Sequence, residues 1–256
     1  MNILIEGMSR QLGGMEAFIM SVYRGLDREN YHMDFIAYDD EIVFEEELKA
    51  GGSKVYHVTP RSKSVLQSRK ELDIIFKQTQ YDVFWTNKTT ISNIEALKSA
   101  KKNQVPLRMV HSHSSENRGT KFTLFMHKKN RRQVAKYANQ LLACSKEAGV
   151  WMFGEKAKEA QLIINGVDIR KYAYTKEREE KMRKELGLGD EPVVGHVGRL
   201  SKEKNLTTIR PKKVYDTKEL QSFDLFCGSK TILKEWYRTK DAILTYYVGK
   251  NYDKQF

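Results

Sequence analysis

Short apolar runs that alternate with helix-length amphipathic segments limit this chain to very few folds. Asn2 to Glu6 is such a run and ends in Gly7; after MSRQLGG a helical spacing starts at Met15 and continues to Leu26, apolar at Phe18, Ile19, Val22 and Leu26. A strand, a glycine turn and a helix form the opening unit of an α/β domain of nucleotide-binding type. His32 to Tyr38 reads as a second strand, the acidic EEEL segment as a short helix ending at Gly51 and Gly52, and SKVYHVT as a third strand in which His57 is a strand residue. Tyr81 to Thr89 reads as a buried strand, Ile91 to Lys101 as a helix, and LRMVHSHSS as the next strand. QLLACS is the last clear strand, with Ser145 set to cap a helix through Lys146 to Phe153.

The 256 residues are enough for one large domain or two modest ones. No apolar run approaches the ~20 residues of a membrane helix. The start, MNILIEGMSR, meets Glu6 before a signal-peptide core develops, so a cytoplasmic protein is expected. Two cysteines, Cys144 and Cys227, are too few for a disulfide scaffold and stand in no metal-ligand cluster. A net charge of +12 calls for an anionic partner, and nucleic acid, an acidic membrane surface and a nucleotide sugar all qualify.

Four stretches carry candidate chemistry. VVGHVGRLSKEKN, Val193 to Asn205, ends an apolar run in glycines and delivers Arg199 and Lys204 on the loop that opens a helix. With Gly198 they suit a diphosphate, which a forked guanidinium, a mobile ammonium and helix-start N–H groups would grip together. A solvated basic turn would read the same in isolation. Gly13 and Gly14 allow close approach of the backbone at the start of the first helix, where Glu16 follows; they could equally serve only to turn the chain. His111 and His113 spill from the carboxyl end of a strand, the end that lines the ligand crevice in open α/β sheets. Spaced by two, they share one face, but no third ligand stands near them and no metal is expected. Arg61 to Lys77 can form a helix with Val65, Leu66, Leu72, Ile75 and Phe76 on one face and Arg61, Lys63, Arg69, Lys70 and Lys77 as a basic rim, a pattern that fits packing on a sheet or lying on anionic headgroups. His127 to Asn139 is the densest basic run; it reads as a solvated helix face, with too few aromatics to form a nucleic-acid platform.

LGGMEAF (Leu12 to Phe18), INGVDIRKY (Ile164 to Tyr172) and GRLSKEKN, in that order, resemble the retaining glycosyltransferases of family 4, which have the GT-B fold of two facing Rossmann-like domains. The resemblance runs from Met1 to about Ile209 and implies an acceptor-side domain over 1–172, a connector over 173–190, and the start of a nucleotide-sugar domain over 191–256. It implies transfer of a sugar from a nucleotide diphosphate sugar to an acceptor hydroxyl with retention, Arg199 and Lys204 steadying the departing diphosphate, and no cofactor besides that substrate. The loop at Gly13, Gly14 and Glu16 would position sugar and acceptor, one or both of His111 and His113 would contact them, and Asn165 and Gly166 would lie at the cleft. The acceptor would be a capsular or exopolysaccharide unit on a lipid carrier, with the Arg61 to Lys77 helix as the membrane contact.

The pattern breaks after Ile209. Pro211 stops the helix expected there, and Glu219 and Glu235 lack the context of the paired-glutamate motif that holds the nucleotide ribose in complete enzymes. The expectation is therefore a donor domain cut short, with a non-catalytic acceptor- or membrane-binding module as the rival reading.

Overall fold

The computed structural model describes residues 1–116, 119–166, 169 and 173–190, together with two short strands at 195–197 and 245–247. The chain divides into two compact units, Met1–Val167 and Asp168–Phe256.

The first unit follows the alternation in the sequence. Its elements are β1 (Asn2–Glu6), α1 (Gly14–Gly25), β2 (His32–Ala37), α2 (Glu45–Ala50), β3 (Val55–His57), α3 (Val65–Gln78), β4 (Val83–Lys88), α4 (Glu95–Lys102), β5 (Leu107–Ser112), α5 (Lys121–Arg131), α6 (Val134–Tyr137), β6 (Gln140–Ala143), α7 (Lys146–Phe153) and β7 (Gln161–Leu162). The seven strands form one sheet in the order β3-β2-β1-β4-β5-β6-β7, and every pairing is parallel. A parallel sheet is covered on both faces, which explains the almost unbroken apolar character of its central strands.

Successive residues of β1 show the two faces. Leu4 joins Phe84, Val110 and Leu141 under α3, α4 and α7, while Ile3 and Ile5 join Phe35, Trp85 and Leu142 under α1 and α2. Local signals mark the ends of two helices. Ser145 accepts a hydrogen bond from the Ala148 N–H at the start of α7. In the second unit, α8 (Lys176–Leu186) is capped by Thr175 and ends at Gly187 in the left-handed conformation (φ 62°). The strands β8 (Gly195–Val197) and β9 (Thr245–Tyr247) pair in parallel.

Two basic segments depart from their expected form. The apolar face read over Val65 to Phe76 is split: Leu72, Ile75 and Phe76 sit in the core, whereas Leu66 is 79% exposed. Packing on the sheet has claimed the residues that would have entered a lipid interface. The segment His127 to Asn139 is not one solvated helix. Its helix starts earlier, at Lys121 behind the Thr120 cap, and ends at Arg131; α6 follows separately, and His127 is fully buried.

Candidate functional site

The strand order reverses direction between β1 and β4, because the chain builds outward from β1 to β2 and β3 on one side and from β4 to β7 on the other. Carboxyl ends flanking such a switch point open onto the crevice where α/β sheets bind ligands. Gly7 ends β1 there, Asn87 and Lys88 end β4, and His111 to His113 end β5, with the first turn of α1 alongside.

Gly7 makes this junction possible. Its φ of 139° is unfavourable to other residues, and a Cβ on it would stand 2.7 Å from the Cβ of Asn87. Close approach lets the Asn87 amide reach over: Nδ2 donates to the Glu6 carbonyl at 3.4 Å, and Oδ1 lies 2.9 Å from His113 Nε2. With Nδ2 committed to a carbonyl, Oδ1 can only accept, so His113 Nε2 carries the ring proton and Nδ1 keeps the lone pair. Burial holds the His113 imidazole down at about 4, and burial with the neighbouring His113 holds His111 at about 3. Both rings are neutral near pH 7. The site therefore holds two neutral imidazoles in place of a charged acid.

The two histidines do share a face, as their spacing requires, with ring centroids 4.1 Å apart. They differ in depth. His111 is fully buried, stacked on Trp85 at 6.0 Å and met edge-on by Phe18 at 5.0 Å, while His113 retains partial exposure. Both nitrogens of His111, Nδ1 of His113 and Nε1 of Trp85 are buried without a hydrogen-bond partner among the described residues. An unsatisfied buried polar group is costly, so such a concentration at a crevice makes these rings candidates for a ligand's hydrogen bonds.

Glu6 supplies the next layer. Its buried carboxylate accepts from Thr86 Oγ1 at 2.6 Å and from Lys88 Nζ at 2.5 Å, so the lysine ammonium is paired. Lys88 also lies 5.7 Å from the ring of Tyr38, whose phenol burial pushes well above its ordinary range. Beyond Tyr38 a groove of about 450 Å³ is lined by Ser9, Arg10, Asp39, Asp40 and Lys63, off the carboxyl ends of β1 to β3.

Gly13 is the N-cap of α1 in extended conformation, and Gly14 opens the helix with open space beside it. Glu16 is only 5% exposed; it accepts from Ser9 Oγ at 2.7 Å, and its Oε2 lies 2.9 Å from where a Gly13 Cβ would stand. Asn165 and Gly166 follow β7 and are exposed, and nothing lies within 4 Å of the Cβ position of Gly166. Gly198, Arg199 and Lys204 fall outside the described residues. The structure thus gathers His111, His113 and the Gly13–Glu16 loop, and adds Gly7, Asn87 and Phe18, which sequence reading missed. A glycine directly after the first strand was the available signal for Gly7. Among the described residues, no three His, Cys, Asp or Glu side chains gather as metal ligands would, and no helix is long and apolar enough to cross a membrane.

Comparison with known proteins agrees with this fold. Residues 12–171 match the sequence profile of Glycosyltransferase Family 4. EpsF of Bacillus subtilis (strain 168), a proposed glycosyltransferase, is 26% identical over 214 residues; the match covers 79% of this chain and 54% of EpsF, so the chain spans about half the length of that curated relative. Among solved structures, a glycosyltransferase of Rickettsia africae superposes with a TM-score of 0.68 at 16% identity, covering 97% of this chain and 68% of the other. Anabaena HepE, crystallised with UDP and glucose, gives 0.65 at 17% identity, covering 97% and 70%. The α/β architecture is that of the GT-B-type enzymes.

Proposed function

The chain belongs to glycosyltransferase family 4, and from that membership we propose that it serves the transfer of a glycosyl unit from a nucleotide diphosphate sugar to a glycan acceptor, with retention at the anomeric carbon. The observation that carries the reading lies inside the matched residues: the carboxyl ends of β1, β4 and β5 converge on His113 at the sheet's switch point. HepE, of similar fold, was crystallised with UDP and glucose, which supports a nucleotide-sugar ligand.

In this reading residues 1–172 form the acceptor-side domain and 191–256 the beginning of the donor side, joined through 173–190. Neutral His113 gives its Nε2–H to Asn87 and keeps its lone pair on the buried Nδ1, so a sugar would meet the partly exposed part of the ring. A lone pair cannot steady a developing anion. That task falls to Arg199 and Lys204, with Gly198 allowing the diphosphate close to the backbone. The Gly13–Gly14 loop with Glu16, the polar groove at Arg10 and Asp39, and the turn at Asn165 and Gly166 would hold acceptor and sugar in line. The acceptor is read as a capsular or exopolysaccharide unit on a lipid carrier, met at the cytoplasmic face of the membrane.

Calorimetry of the full chain with UDP tests the donor half of this reading. Binding that weakens by about tenfold or more in Arg199→Ala, with loss of a charge-assisted pair, is the expected result. Absence of any UDP signal, with acceptor glycan still bound, would replace the transferase by a non-catalytic acceptor-binding module.

A further inference from the structure

His57 ends β3, opposite Ala37 of β2; the polar groove is lined by Asp39 and Asp40, just beyond Ala37, and by Pro60 and Lys63, just beyond His57. Both nitrogens of the ring are engaged. Nδ1 stands 2.8 Å from the Asp39 carbonyl oxygen, and Nε2 stands 2.9 Å from Glu45 Oε1. A carbonyl and a carboxylate only accept, and a neutral imidazole has one N–H to give. Glu45 cannot supply the missing proton: burial raises its carboxyl, but hydrogen bonds from Lys49, His57 and the Ile42 N–H outweigh burial and bring it down to about 2. Both contacts are therefore hydrogen bonds only when His57 is an imidazolium.

The charges that act on the ring come from α2, Glu45 favouring the proton and Lys49, itself 2.9 Å from Glu45 Oε1, opposing it. The loop after β2 turns a carbonyl to His57, while the Asp39 carboxylate accepts from the Arg10 N–H at 3.0 Å and Asp40 is exposed. That loop needs a clamp, because it ends at Phe44 with φ 64°, a left-handed conformation that bulky residues resist. Besides the ties at Asp39, the Ile42 N–H donates to Glu45 Oε2 at 3.1 Å and the Val43 N–H to the Ser9 carbonyl at 3.0 Å. Glu45 and His57 thus hold the loop from one side, and the loop in turn holds Ser9 and Arg10, which also line the groove.

We infer that His57 is a positioning residue for the groove: as an imidazolium it clamps the Asp39 loop to α2, and loss of its proton releases that loop. On deprotonation Nε2 keeps its N–H on the carboxylate, the stronger of the two partners, and Nδ1 turns a lone pair on the Asp39 carbonyl oxygen. The two acceptors repel, and the loop draws the Asp39 carboxylate off the Arg10 N–H. At 37% side-chain exposure the ring can trade its proton with water. The hydrogen bond to Glu45, then that to the Asp39 carbonyl, raise the His57 pKa against burial and Lys49. Its contribution is complete below the unfolded value of about 6.5 and is lost as pH rises through the higher folded value. Where the groove serves as part of the acceptor site, sugar binding weakens over the same range; that consequence rests on the proposed function, and the clamp does not.

The test is a nitrogen NMR titration of the full chain over about pH 5.5 to 9, with His57 assigned among the six histidines by His57→Gln, alongside amide exchange at Arg10 and Val43 corrected for intrinsic rates. The expected result is a His57 ring protonated on both nitrogens until above about pH 6.5, and exchange at both amides that rises by at least about tenfold as it deprotonates. Glu45→Gln moves the ring titration and the exchange step together to lower pH, and Lys49→Met moves both to higher pH. In His57→Gln exchange is fast at every pH. A singly protonated ring throughout, exchange without a step, or a step that stays in place in Glu45→Gln would each overturn the inference. No donor or acceptor takes part, so failure here leaves the transferase reading standing, and failure of that reading leaves the clamp.

Discussion

Helices α3 and α5 are built from similar materials and put them to opposite use. Each follows a strand of the same sheet, begins behind a Ser or Thr cap, and mixes basic residues with several large apolar ones. Helix α3 gives Leu72, Ile75 and Phe76 to the core and leaves a mostly polar surface, Leu66 and Ile74 excepted, on which Arg69 pairs with Glu95 at 2.5 Å and Lys102 with Asp73. Helix α5 is held by His127, bonded to the Ile91 N–H and the Trp151 carbonyl, and by Asn130, which donates to the Ile91 and Ser92 carbonyls, and it keeps Phe122 and Phe125 outside. A mixture of basic and large apolar residues therefore says little about which face is spent on the fold. What decides it is the partner waiting beneath: an apolar sheet face under α3, and the open carbonyls of Ile91, Ser92 and Trp151 under α5.

The largest effect that would break this contrast is in packing. Leu72→Ala should destabilise the protein by about 2 to 5 kcal/mol in chemical denaturation, because the cavity lies inside the core. Phe125→Ala should stay within about 0.5 kcal/mol. Similar losses from both would mean that Phe125 is covered in solution and that the two helices do not differ.

Next in size comes the polar anchor. Asn130→Ala leaves the Ile91 carbonyl without its 2.7 Å donor, and His127→Ala leaves the Ile91 N–H without its acceptor. Either should cost about 1 to 3 kcal/mol by the same measurement. A neutral result would show that α5 is held by something other than these bonds.

The finest distinction is one of pH. Burial holds His127 below its ordinary range, against the hydrogen bond to the Trp151 carbonyl. A depressed pKa in the folded state means that the stability it carries is present above the unfolded value near 6.5 and drains as pH falls below it. Glu95, which receives Arg69 from α3, is raised by burial but brought below its ordinary value of 4.5 by the hydrogen bonds from Arg69 and Lys98, so its contribution is lost only further into acid. Hydrogen exchange at about pH 5 and about pH 7, corrected for intrinsic rates, should show protection falling in α5 and holding in α3. Loss in both helices together would tie them into one cooperative unit.

Much of the first unit was legible because its signals are local. Alternating runs marked the strands, Ser145 marked a helix start, and a spacing of two put His111 and His113 on one face. What escaped depends on partners far away in the chain. Gly7 needs its conformation because Asn87, 80 residues later, passes beneath it. Depth was equally invisible, since spacing cannot tell that His111 lies sealed behind Phe18 and Trp85 while His113 does not. His127 was hidden within a charge run, and only Trp151 and Ile91 explain why it is buried. Arg199 and Lys204, proposed to grip the diphosphate, lie outside the described residues, and that proposal rests on sequence resemblance.

Glu16 sets a condition on whatever approaches the amino end of α1. The partial positive charge of a helix start ordinarily welcomes an anion, but here a carboxylate of the protein already occupies that field, tied to Ser9 at 2.7 Å. A phosphoryl group arriving over Gly13 and Gly14 would have to displace this resident or bring a counter-cation, whereas an uncharged polyol would meet a ready hydrogen-bond acceptor.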